Sequence, residues 1–197
     1  MPADLARLKA AMETLAPAKL YIDPTPGLSV AEMRAKARRM YLTKDEDGNP
    51  MIDVIVIDYL QLMHADGRVD SRQQEVAEIS GGIKALAKDL KIPVLVLAQL
   101  NREVDKTAGA GAKPKLANLR ESGSIEQDAD VVTFLHRDRE KSKGDVPSAE
   151  ALWIIEKNRN GRTGDVKLNF IPSRMEFQLA PRVDQSYGPD PKEGKKE

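Results

Sequence analysis

The 197-residue chain contains no cysteine, which excludes disulfides, thiolate zinc sites and cysteine nucleophiles and fits a reducing compartment. It also lacks net charge: 31 Lys and Arg balance 31 Asp and Glu, so any nucleic-acid binding must come from local patches. No apolar stretch approaches the ~20 residues that span a bilayer, and the N-terminus has no signal-peptide core; a soluble cytoplasmic protein is expected. Neither a Gly-x-Ser-x-Gly nor a helical His-Glu-x-x-His occurs, which leaves serine-hydrolase and zinc-protease readings without support. A phosphate-binding G-x-x-x-x-G-K-[ST] loop is absent as well. What is present is 41 % hydrophobic residues over a length that suits one domain with a sizeable core.

Leu5, Leu8, Met12 and Leu15 recur at helical spacing and predict a helix over 4–15. Leu20-Tyr-Ile22 reads as a short strand, followed by the breaker Asp23-Pro-Thr-Pro-Gly27. Ser29-Val-Ala-Glu32 is a capping box, and the helix it opens should turn Val30, Met33, Ala37 and Met40 inward. The basic positions Arg34 to Arg39 are expected to be solvated or at a subunit contact. Residues 43–50 form an acidic turn without the twelve-residue calcium pattern. The run Ile52-Asp-Val-Ile-Val-Ile-Asp58 is nearly continuous in Val and Ile, the mark of a parallel strand covered on both faces. A helix follows over 71–90, its stripe made of Val76, Ile79, Ile83, Leu86 and Leu90. Gly81 and Gly82 should each cost it about 1 kcal/mol and weaken or bend it. Pro93-Val-Leu-Val-Leu-Ala98 completes a strand–helix–strand unit, which predicts parallel neighbours. Residues 104–118 read as a mobile Gly/Ala/Lys/Pro-rich loop, and four further strands are expected over 130–135, 152–157, 165–170 and 175–179. Asn160-Gly161 and Pro172-Ser173 supply hairpin turns, Trp153 belongs in the core, and 181–197 is a disordered polar tail after a domain over 1–180.

Chemistry concentrates at strand ends. Asp58 closes the first buried strand on the carboxyl edge, where open α/β sheets bind ligands; it equally suits a carboxylate that caps the next segment. Gln99 lies at the same end of the next strand, suited to sensing a phosphate, orienting a water or starting a loop. Arg120-Glu-Ser-Gly-Ser124 joins a guanidinium to flexible backbone amides, a set that holds phosphates without reading bases, or simply caps a helix at Ser124. Lys157-Asn-Arg159 leaves a buried strand at a rigid edge, as an arginine finger or as a basic hairpin turn. His64 and His136 have no sequence-local ligand partners and read as polar or structural.

Five segments in order carry a resemblance: Tyr21-Ile-Asp-Pro-Thr-Pro-Gly-Leu-Ser29, Val56-Ile-Asp-Tyr-Leu-Gln-Leu-Met63, Ala98-Gln-Leu-Asn-Arg102, the block 119–130 and Lys157-Asn-Arg-Asn-Gly161. Together they resemble the C-terminal ATPase domain of the DnaB-type replicative helicases. The resemblance implies a RecA-like α/β domain with a mostly parallel central sheet, flanking helices and C-terminal antiparallel hairpins. It implies a homo-hexameric ring, with ATP and Mg²⁺ as cofactors, single-stranded DNA as the track, and primase and a loader as partners. Carried over, Asp58 is the acid that holds Mg²⁺ through water, and Gln99 couples nucleotide state to DNA. Arg120, Glu121 and Gly123 track the DNA backbone, and Lys157 and Arg159 reach a neighbouring subunit's nucleotide. With aromatics at 4 %, base stacking would add little. The family's P-loop lysine and catalytic glutamate find no counterpart here, so the N-terminal part of the domain is expected to be missing and the chain alone to hydrolyse no ATP. Gly81-Gly82 departs from the helix formers usual in the family. A short non-enzymatic single-strand-binding or ring-joining protein, and a RecA-like recombinase-type ATPase, are the competing readings.

Overall fold

Ser29 caps its helix as the sequence spells it: its hydroxyl accepts from the Glu32 amide, and the Glu32 carboxylate accepts from the Ser29 amide at 2.9 Å. In the computed structural model, which describes residues 2–100, 113–116, 123–137 and 149–180, this helix (α2) runs Val30–Leu42. It follows α1, Pro2–Leu15. Strand β1 is Ile55–Ile57; a 3-10 turn at Leu60–Leu62 precedes α3, Arg72–Leu90, which is capped by Ser71, and then β2, Val94–Val96. A short α4 spans Gly123–Asp128. Strands β3 (Val131–His136), β4 (Ala149–Asn158), β5 (Gly164–Ile171) and β6 (Glu176–Leu179) complete the described chain. Two compact units result, and each packs around its own residues.

In the first unit β1 and β2 pair in parallel, with Ile55 opposite Val94 and Ile57 opposite Val96, as the strand–helix–strand order requires. Ile55, Ile57, Val94 and Val96 turn one face onto α2 and α3, where Val30, Met33, Val76, Ile79, Ile83 and Leu86 form the core. Helix α3 is unbroken through Gly81 and Gly82. Gly82 packs against Val30 of α2: a Cβ there would sit 2.3 Å from Val30 Cγ1, so the missing side chain is a packing requirement. At Gly81 a Cβ would meet nothing.

In the second unit four antiparallel strands lie in the order β3-β4-β5-β6, with an irregularity in register between Val132 and Thr133. Ala151, Leu168 and Phe170 form its core on one face; Val132, Phe134 and Ile154 are buried as well. Phe170 meets Phe177 at 4.8 Å between ring centres, and Arg137 lies 4.6 Å from the Phe170 ring centre.

Three expectations are corrected. Residues 20–22 are not a strand; they run without regular structure and are exposed. Among the described residues the β1–β2 pair is covered on one face only, with Val56 57 % and Leu95 59 % exposed on the other. Two strands and two helices supply one layer of cover, and a run of Val and Ile carries no information on whether a second layer exists. Trp153, expected in the core, is 41 % exposed, because its face of β4 sets it between Leu135 and Val166 rather than under a second layer. The apolar stripe of α1 likewise faces outward. The loop expected over 104–118, apart from 113–116, and the tail expected over 181–197 fall outside the described residues.

Candidate functional site

Asp58 follows directly on β1, and Gln99 comes three residues after β2, so the parallel pairing brings both to one carboxyl edge. The ladder extends beyond the strands themselves: the Leu97 amide donates to the Ile57 carbonyl and the Leu60 amide to the Leu97 carbonyl, both at 2.9 Å. The Asp58–Tyr59 peptide is cis. The Asp58 carboxylate is exposed and makes no hydrogen bond or ion pair among the described residues. It therefore has acceptor capacity for a metal-bound water, and one carboxylate plus substrate phosphates is a usual Mg²⁺ environment. Among the described residues no cluster of three His, Asp or Glu would hold a metal by protein ligands alone. A lone exposed carboxylate of this kind could take part in holding a divalent cation only through water and with further ligands from elsewhere.

The turn that follows β1 is braced from α3. Gln61 reaches over to the Gln99 backbone, donating from Nε2 to its carbonyl at 3.1 Å and accepting from its amide at 3.3 Å. Arg72 donates to the Gln61 carbonyl at 3.3 Å and pairs with Glu75 at 2.5 Å. That hydrogen bond is the chief reason the Glu75 carboxyl lies below its ordinary range, with the Ala65 amide and His64 adding to it. His64 Nδ1 stands 3.8 Å from Glu75, and its ring fills the space over Gly27, where a Cβ would come within 2.8 Å of Nε2. Gly27 also adopts φ +62°, so both its backbone and its surroundings call for glycine. Asp66 accepts from the Ala31 amide at 2.9 Å, tying the same turn to the start of α2. None of this bracing is readable from spacing; the available signal was a polar Gln61 between Leu60 and Met63, which are both buried.

Arg120 and Glu121 lie outside the described residues, and Gly123 is the first residue of α4. Ser124, considered as the N-cap, lies inside that helix. Helix α4 is moored to α3 by Ser80, whose buried hydroxyl donates to Asp128 at 2.7 Å, and by Ile125 against the core. In the second unit Lys157 lies near the end of β4 opposite Val132, and Arg159 follows it. Arg159 is tied to Asp130 twice, by its amide to the carbonyl at 2.9 Å and by its guanidinium to the carboxylate at 2.9 Å. Asn158 donates to the Arg162 carbonyl at 3.2 Å and fills the space where a Cβ on Gly161 would sit, which shapes the turn after Arg159.

An acid and an amide at adjacent carboxyl ends of parallel strands, over a helix-packed core, define an open-sheet α/β ligand-binding architecture. The chain belongs to the DnaB-like helicase C-terminal domain family, whose model matches residues 1–179. It is 45 % identical over 190 residues to the replicative DNA helicase DnaB of Geobacillus stearothermophilus, covering 95 % of this chain and 40 % of that protein. It is 44 % identical over 188 residues to the replicative DNA helicase DnaC of Bacillus subtilis (strain 168), covering 94 % of this chain and 40 % of the relative. The chain thus spans about two fifths of these relatives' length. Among solved structures, one ATPase domain superposes with a TM-score of 0.78 at 33 % identity, over 90 % of this chain and 60 % of that one. A DnaB-like replicative helicase, solved in a study of its interactions with primase, gives 0.76 at 33 % over 88 % of this chain and 40 % of its own. The fold is that of the RecA-like helicase ATPase domains, a parallel pair and an antiparallel sheet with flanking helices. Among the described residues no helix is long and apolar enough to cross a membrane.

Proposed function

We propose that this chain is part of a ring-forming replicative DNA helicase, which unwinds duplex DNA by ATP-driven translocation on single-stranded DNA in the cytoplasm. The observation that carries the reading is the family match over 1–179, with the exposed Asp58 and the backbone-held Gln99 on one sheet edge. Asp58 holds Mg²⁺ through a water, and Gln99 passes nucleotide state to the DNA-contacting segment. Bound Mg²⁺–ATP would supply the phosphoanhydride whose cleavage drives translocation. Arg120, Glu121 and Gly123 follow the DNA backbone, a contact that ignores base identity and so suits a protein that moves along any sequence. Lys157 and Arg159 act on the nucleotide of an adjacent subunit in a homo-hexamer. For that step Arg159 must exchange Asp130 for phosphate, and a half-exposed pair of this kind costs only about 0–1 kcal/mol to break. Primase and a helicase loader complete the partners.

The 197 residues include no phosphate cradle, so the chain by itself hydrolyses no ATP and contributes its residues to a site completed by other segments or subunits. The test adds the purified chain to the intact Geobacillus relative and reads ATPase and unwinding. The chain should change both rates, and Arg159→Ala should abolish the change. A magnesium-dependent ATPase of the chain alone that disappears in Asp58→Ala would overturn its inactivity. No effect on the relative, together with no binding to an oligo-dT strand, would overturn the helicase reading. Binding to the strand with no effect on the relative would favour the short single-strand-binding protein instead.

A further inference from the structure

We propose that Gln61 is the positioning residue of Gln99, fixing the backbone from which the Gln99 side chain leaves the sheet. The inference rests on the role given above to Gln99. After Leu97 the β1 side of the ladder has no backbone partner to offer, because the chain there has turned into the 3-10 segment Leu60–Leu62. The Gln61 carboxamide takes over, donating to the Gln99 carbonyl and accepting from the Gln99 amide as a neighbouring strand's peptide group would. A side-chain amide can do this because it carries a donor and an acceptor on one planar group; a carboxylate, a lysine or a thioether lacks one or both.

The clamp is held from behind. Leu60 and Met63, 2 % and 4 % exposed, plug the turn into the core on either side of Gln61. Arg72, braced by Glu75, holds the Gln61 carbonyl. Both hydrogen bonds of the clamp go to the backbone of Gln99, and its side chain makes no hydrogen bond among the described residues. Residue 99 is thus fixed at its main chain and open at its carboxamide. A rigid base of this kind lets a change at the Asp58 edge pass to the segment after Gln99 without being absorbed by backbone slack.

The test uses the full 197-residue chain, isotope-labelled, with amide hydrogen exchange read by NMR. In Gln61→Met the Gln99 amide should exchange about 10-fold faster, the net worth of one hydrogen bond, while Leu95 and Leu97 keep their rates. Unchanged Gln99 exchange in a folded variant overturns the proposal. Should Gln61→Met not fold, Gln61→Glu decides. Its neutral acid can both donate and accept while its anion can only accept, so the Gln99 carbonyl signal should shift at neutral pH and return as the introduced carboxyl protonates. A Gln99 signal indifferent to that titration overturns the clamp.

A second readout concerns function and is insensitive to mere structural support: the change that Mg²⁺–ADP causes in oligo-dT binding by the chain mixed with the intact Geobacillus relative, which supplies the phosphate cradle, followed by fluorescence anisotropy. Gln61→Met should reduce that change as Gln99→Ala does, and the double variant should be no worse than either single one. Full additivity overturns positioning through Gln99. If Gln99→Ala itself alters nothing, the reading of Gln99 as a nucleotide reporter fails, and the exchange data still judge the clamp.

Discussion

Gly81 and Gly82 are neighbours in α3 with opposite consequences on substitution. Alanine at 81 meets open space and removes the entropy cost of a helical glycine, so Gly81→Ala should stabilise by about 0.5–1 kcal/mol. Alanine at 82 drives a methyl into Val30, so Gly82→Ala should destabilise by about 1–3 kcal/mol despite its better helix propensity. Urea midpoints at constant slope distinguish the two; equal effects of the same sign would contradict the packing of α2 on α3. Charge is arranged with similar locality. Asp23 accepts from Lys36 at 2.7 Å and from Thr25 at 2.6 Å, which holds its carboxyl far below the usual range, while Lys19 holds Asp45 below it and Arg72 does so for Glu75. A carboxyl more acidic in the folded than in the unfolded state adds stability above its ordinary range and loses it as pH falls through that range toward the lowered value. The melting temperature should therefore fall on acidification below about pH 5, and less steeply in Arg72→Ala than in the parent.

At the scale of elements, α4 depends on its mooring. The Ser80 hydroxyl, buried among α3 residues, is the donor that Asp128 uses, so Ser80→Ala should leave a carboxylate oxygen without its partner at a cost of about 1–3 kcal/mol. The loss should loosen α4 first: amide exchange at Ala129, whose amide bonds the Ile125 carbonyl, should rise before exchange in α2 does. Uniform loss of protection across the first unit would mean instead that α4 is an integral part of it. Helix α2 has the opposite kind of start, set by neighbours in sequence, and Ser29→Ala should cost about 1 kcal/mol through the lost cap. Asp66 moderates that cost, because it holds the adjacent Ala31 amide from another segment.

At the scale of the molecule, an uncovered layer dominates the behaviour of the isolated chain. Val54, Val56, Leu95 and Leu97 are exposed on the open side of the β1–β2 pair. Each such side chain gains about 1.5–3 kcal/mol when buried, so the face favours contact with any other apolar surface. Purified chain should self-associate with rising concentration, and Leu95→Lys should reduce the effect in light scattering while leaving the helical circular dichroism unchanged. A monomer at all concentrations would show that this face is covered from within. Only the structure discloses this face, because Val and Ile mark a strand without saying how many of its faces are packed.

Local chemistry determined much of this protein before folding was considered. The capping box placed α2, the 3–4 spacing placed α1 and α3, alternation and turn residues placed the four antiparallel strands, and strand-end polarity singled out Asp58 and Gln99. All of these are read within a few residues, where the backbone's own hydrogen bonds and periodicity decide. Tertiary structure alone decided that Gly82 admits Val30, that Gln61 supports Gln99, that Ser80 moors Asp128 and that Asp130 holds Arg159. Each joins residues tens of positions apart, and sequence spacing says nothing about which side chains meet once helices and strands have packed.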